Sequence, residues 1–104
     1  MRSGSNRKKK RLYAIVVGND NQVNTFSVES FLKVSAKDAR QAVRKARSKD
    51  FSVQADACEW VVIKRLDGTI ASLSFKWMAA IYSETKNQAI KVALNMLTNG
   101  NHHV

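Results

Sequence analysis

The sequence predicts an α+β domain made of a duplicated ββα unit, in the order ββαββα. The expected architecture is a four-stranded, mainly antiparallel sheet with two helices on one face and a pseudo-twofold relating the halves. Three observations predict it. The chain resembles itself at an offset of 47 residues, an Asp-Gly dipeptide sits between two alternating apolar runs, and two later segments carry apolar stripes at helical spacing.

The offset lays residues 13–46 on 60–93 without a gap, with five identities: Asp20 on Asp67, Ser27 on Ser74, Gln41 on Gln88, Ala42 on Ala89 and Ala46 on Ala93. Apolar positions coincide as well, including Tyr13 on Trp60, Ile15 on Val62, Val16 on Ile63, Phe26 on Leu73, Val28 on Phe75 and Val43 on Ile90. The expected organisation is a flexible basic arm over 1–11 and one domain over 12–104, with repeats at 12–50 and 59–100.

Each repeat opens with a hairpin. In the second, Trp60–Arg65 and Ile70–Lys76 flank Leu66-Asp67-Gly68-Thr69. Asp-Gly favours a two-residue type I′ turn because both central positions need positive φ. Such a turn places Val62 opposite Leu73 and Trp60 opposite Phe75, gathering Trp60, Val62, Leu73, Phe75 and Trp77 on one face. A turn at Asp20-Asn21 gathers Tyr13, Ile15, Val17, Phe26 and Val28 in the first repeat. The bulky side is expected beneath the helices. The other side is expected to be an open sheet face carrying Val16, Thr25, Ser27, Val61, Ile63, Arg65, Ser72, Ser74 and Lys76.

Alternation changes parity in Phe31–Val34 and Met78–Tyr82, which a bulge or a short extra strand explains equally well. The first helix is expected from an N-cap at Ser35, through a stripe of Ala39, Ala42, Val43 and Ala46, to about Lys49. The second follows Ser83 with Glu84 near the positive end of its dipole, carries Ala89, Ile90, Ala93, Met96 and Leu97, and stops at Asn99-Gly100. Between the repeats, Phe51–Glu59 is a connector anchored by a buried Phe51, with an edge strand over Phe51–Gln54 as an option.

Composition narrows function mainly by exclusion. A chain of 104 residues holds one modest core. No apolar run reaches membrane-spanning length and no signal-peptide stretch follows the charged start, so a cytoplasmic location without membrane association is expected. The single cysteine, Cys58, cannot form an internal disulfide and reads as a small core or partly exposed thiol. The four glycines are isolated, which excludes a phosphate-binding loop. One cysteine and the adjacent His102-His103 are too few for zinc, and no folded-in histidine is available as a base for a nucleophile. Asp20 and Asp67 read as turn residues, Asp56 and Glu59 flank Cys58, and no catalytic set emerges. No enzyme activity, metal or cofactor is expected.

The charge is informative. Of the net +10, six charges fall in residues 1–11, leaving twelve bases against eight acids in the rest. The first helix segment is the basic part of the body, with Lys37, Arg40, Arg44, Lys45 and Arg47 away from the alanine stripe and Lys49 beyond them. Together with Arg7, Lys8, Lys9, Lys10 and Arg11 of the arm, these cations form the expected nucleic-acid-binding set. A solvated face that keeps the protein soluble accounts for the same cations. With the large rings assigned beneath the helices, base stacking on the sheet is not expected.

The leading expectation is a non-catalytic nucleic-acid-binding accessory protein that grips DNA or RNA phosphates with little sequence preference. The alternative is a small protein-protein interaction module, such as a phage-type regulator or inhibitor of a larger host enzyme. That module would use the open sheet face, with its aliphatic strip of Val16, Val61 and Ile63, or an edge strand, and the strip also suits homodimer formation.

Overall fold

The computed structural model of the chain describes residues 9–52 and 56–100. In chain order the elements are β1 (Arg11–Val17), β2 (Val23–Ala36), α1 (Ala39–Ser48), β3 (Cys58–Arg65), β4 (Ile70–Ser74), β5 (Trp77–Ser83) and α2 (Lys86–Gly100). The fold is α+β, and all strand pairs are antiparallel in the order β4-β3-β2-β1-β5. The sheet therefore has five strands where four were expected, and the element order is ββαβββα. The extra strand arises because the second long strand is interrupted between Ser74 and Trp77, whereas β2 runs through 14 residues.

The two turns explain a second departure. Arg65 N–H donates to the Thr69 carbonyl at 2.9 Å and Gly68 N–H to the Arg65 carbonyl at 2.9 Å, so the loop contains three residues, Leu66, Asp67 and Gly68. Gly68 takes the left-handed position at φ 89°. A three-residue turn ending in a left-handed residue replaces the expected type I′ turn. The first hairpin closes in the same way, with Gly18 N–H on the Gln22 carbonyl at 2.9 Å and Asn21 left-handed at φ 69°. Asp20 and Asp67 stiffen these turns by accepting the N–H groups of Gln22 and Thr69, each at 3.0 Å. The Asp67 carboxyl is held below the usual carboxylate range, first by the Thr69 hydroxyl and then by the Thr69 amide.

One extra loop residue slips each register by one. Trp60 pairs with Ser74, Val61 with Leu73, Tyr13 with Ser27 and Ala14 with Phe26. A slip of one moves every side chain of the partner strand to the other face. Phe26, Leu73 and Phe75, expected under the helices beside Tyr13 and Trp60, consequently lie on the opposite side.

That opposite side is not open. Strand β2 pairs with β1 over Val23–Ser27 and with β3 over Val28–Ala36, with a register shift between Val28 and Ser30. The sheet curls there and its two halves face one another. Ala14 and Val16 of β1 join Val28, Val61, Ile63 and Phe75 in one core cluster, although β1 and β3 are not hydrogen-bonded neighbours. Val16, Val61 and Ile63 are fully buried without help from either helix. Burying side chains of this size contributes about 1.5–3 kcal/mol each.

The helices cover the outer side of the curled sheet. Helix α2 places Ala89, Ile90 and Ala93 on Tyr13, Ile15, Trp77 and Ala79. Helix α1 places Ala42, Val43 and Ala46 on Val34, Ala36, Trp60 and Val62. Asp38, not Ser35, caps α1: its Oδ1 accepts the Gln41 N–H at 2.8 Å, while Ser35 belongs to β2. The helix ends with Lys49 left-handed at φ 58° and Asp50 N–H on the Lys45 carbonyl at 3.0 Å, a Schellman closure with lysine in the usual glycine place. Before α2, Thr85 Oγ1 accepts the Gln88 N–H at 3.1 Å. Phe51 is 44% exposed, so it is not the anchor expected of the connector, and Gln54 of the optional edge strand lies outside the described residues.

Candidate nucleic-acid interface

Helical spacing decides which α1 cations reach solvent. Arg40, Arg44 and Arg47 stand at i, i+4 and i+7 and are exposed, lining a shallow depression with Ala39, Val43 and Ser48. The stripe is about 10 Å long at 1.5 Å rise per residue. Arg47 also lies in the last turn, where a cation complements the negative end of the helix dipole.

Lys45 departs from the expected set. It is only 6% exposed, and its Nζ donates to the Ser35 carbonyl at 2.8 Å and the Ser52 carbonyl at 2.7 Å. It ties the helix to β2 and to the start of the connector, which removes it from any phosphate-binding surface. Lys37 precedes the helix and is exposed, with its N–H donating to Gln41 Oε1 at 2.7 Å. Lys9 and Lys10 are exposed, Arg11 is the first residue of β1 and not part of an arm, and Arg7 and Lys8 lie outside the described residues.

Among the described residues no carboxylate pairs with an arginine of the stripe. Asp20 and Asp67 serve the turns and Asp38 the helix cap, while Asp50 accepts the Ser52 N–H at 3.1 Å. Glu59 accepts the Ser35 hydroxyl at 3.4 Å. Glu29 pairs with Lys64 at 2.9 Å, the only ion pair among the described residues. The second helix offers no equivalent field, since Lys86 and Lys91 are its only cations among the described residues and Glu84 precedes them.

The nine residues expected on an open face are dispersed. Val16, Val61 and Ile63 are enclosed in the curl. Arg65 carries its guanidinium 5.4 Å from the centre of the Phe26 ring. Thr25, Ser27, Ser72 and Ser74 lie on the outer, helix-covered side opposite Ile15, Tyr13, Val62 and Trp60, and all four are partly buried. Lys76 is exposed and donates to Asn21 Oδ1.

Two surface features escaped the sequence reading. A small cleft beside α1 has Leu32, Val43, Ala46, Val62 and Ile70 in its lining, with Arg47 also present. Tyr82 is 70% exposed, the most exposed large apolar side chain among the described residues. Parity along β5 signals it: Met78 packs against the enclosed cluster, Ala80 is exposed, and Tyr82 continues the same face beyond the core. Cys58 is exposed and free. Among the described residues no three Cys, His, Asp or Glu side chains gather as metal ligands, and no helix is long and apolar enough to cross a membrane. Comparison with protein-family models, with curated proteins and with solved structures finds no match to this chain.

Proposed function

We propose that the chain is a non-catalytic nucleic-acid-binding accessory protein that holds phosphates through one face of α1. The observation that carries this reading is the stripe of Arg40, Arg44 and Arg47, exposed together with no carboxylate in ion-pair range among the described residues. A guanidinium offers a planar fork of donors suited to phosphate oxygens, and neutralising phosphates releases condensed counterions. Contacts of this kind position a nucleic acid without reading its bases, so weak sequence preference follows. Lys37 adds a cation just before α1, Lys9, Lys10 and Arg11 supply separate exposed positive charge at the start of β1, and Lys45 acts only as a brace. Electrophoretic mobility shift of the parent protein and of Arg40→Glu/Arg44→Glu/Arg47→Glu tests the reading. The parent shifts DNA or RNA at low salt and the variant does not; a parent that shifts neither ends the proposal.

For a protein-interaction role the aliphatic strip is enclosed, since Val16, Val61 and Ile63 are buried, while β4 and β5 remain as edge strands. What favours it instead is the cleft beside α1, where Leu32 and Ile70 are 40% and 44% exposed.

We infer further that the two halves descend from one duplicated unit arranged about a pseudo-twofold, despite the interrupted strand. Support comes from the pairings: adding 47 carries Tyr13↔Ser27 onto Trp60↔Ser74 and Ile15↔Thr25 onto Val62↔Ser72. Exchanging halves by the same offset carries Leu32↔Val62 onto Ala79↔Ile15. The left-handed Asn21 falls on Gly68, and the bulged Glu29 on Lys76 at the strand break. A circular permutant that starts at Cys58 and joins α2 to β1 through a copy of the connector is expected to unfold cooperatively in urea. A molten product counts against the duplication.

A further inference from the structure

The start of β1 runs beside the end of β5, with Arg11 opposite Ser83 and Leu12 opposite Tyr82. Lys10, the residue before Arg11, lines the same groove as Tyr82. Leu12 is partly buried against the enclosed cluster, while the Tyr82 ring opposite it is 70% exposed. Lys10, Tyr82, Gln88, Lys91 and Asn95 line one shallow groove, with Glu84 its single carboxylate. Lys9 and Arg11 add exposed positive charge next to it.

An exposed flat ring with ammonium groups around it matches an unpaired nucleobase and its phosphates. The ring recovers apolar contact by stacking on a base of any identity, and the lysines take the flanking phosphates. A duplex keeps its bases stacked on one another and offers this ring nothing except its ends. We propose that Tyr82 is a stacking platform for an unpaired base, so that the preferred ligand is single-stranded nucleic acid. This rests on the phosphate-binding reading and names the ligand class within it.

The test is fluorescence anisotropy with two fluorescein-labelled probes, a short oligothymidylate and a duplex of equal length, titrated with the parent protein, Tyr82→Ala and Tyr82→Phe. Tyr82→Ala weakens oligothymidylate binding about 5- to 150-fold, the range for loss of one base-aromatic stack. Duplex affinity changes less than about twofold, and Tyr82→Phe keeps the parent's affinity because the ring, not the hydroxyl, makes the contact. Circular dichroism of both variants matches the parent, since the side chain lies outside the core. If Tyr82→Ala binds oligothymidylate as the parent does, the stacking role is overturned while phosphate binding by α1 survives. If the parent binds neither probe, both readings fall together.

Discussion

Replacing Lys45 with methionine probes the brace between α1, β2 and the connector. Methionine keeps most of the aliphatic stem and removes the ammonium that donates to Ser35 and Ser52 at 2.8 and 2.7 Å. Hydrogen bonds from a charged donor contribute about 1.5–3 kcal/mol each, and two of them set an upper bound near 6. Keeping an ammonium at 6% exposure costs desolvation that the variant no longer bears, so the net is smaller, about 2–4 kcal/mol. For a domain of this size that is a fall in Tm of about 10–20 °C. Urea unfolding followed by tryptophan fluorescence measures it, with the midpoint falling and the slope unchanged. Where the variant remains folded, its affinity for nucleic acid equals the parent's, because the ammonium points away from the binding face. A loss below about 0.5 kcal/mol, or weakened binding by the folded variant, refutes the brace.

Ile63 is fully buried in the curl, so Ile63→Asp abolishes cooperative unfolding by circular dichroism, and Ile63→Ala costs about 2–4 kcal/mol; a folded aspartate variant contradicts the enclosed face. Nothing lies within 4 Å of a Cβ added at Gly68, so Gly68→Ala destabilises through its φ of 89° alone, by about 1–2 kcal/mol. Asn21→Gly at the matching turn is neutral or slightly stabilising in the same urea assay, and equal losses at both sites contradict the turn assignment.

Much of this fold was legible in periodicity. The alanine stripes put Ala42, Ala46, Ala89 and Ala93 against the sheet, and the positions of the hairpins followed from Asp20 and Asp67. Loop length was not legible. Asp-Gly serves a two-residue turn and a three-residue turn equally well, as does Asp20-Asn21, and the choice moves Phe75 in the second hairpin and Phe26 in the first from one side of the sheet to the other. Curling at Glu29 was hidden for a related reason: the parity change allowed a bulge or a new strand, and the two halves realise one each. The face that looked open carries Ala14, Val16, Val61 and Ile63, apolar residues whose burial required knowing that β1 and β3 meet. At the candidate site, Arg40, Arg44 and Arg47 were readable from helical spacing. Lys45 was not, because its position beside Ala42 and Ala46 indicated burial while its charge suggested exposure, and only the Ser35 and Ser52 carbonyls reconcile the two.

The salt dependence of duplex binding tests the arginine stripe most directly. Plotted as the logarithm of affinity against the logarithm of salt concentration, each phosphate contact contributes about 0.9 to the slope. Arg40→Ala/Arg44→Ala/Arg47→Ala should therefore flatten the slope by about 2.7 relative to the parent protein. A variant with the parent's slope would mean that α1 does not hold the phosphates.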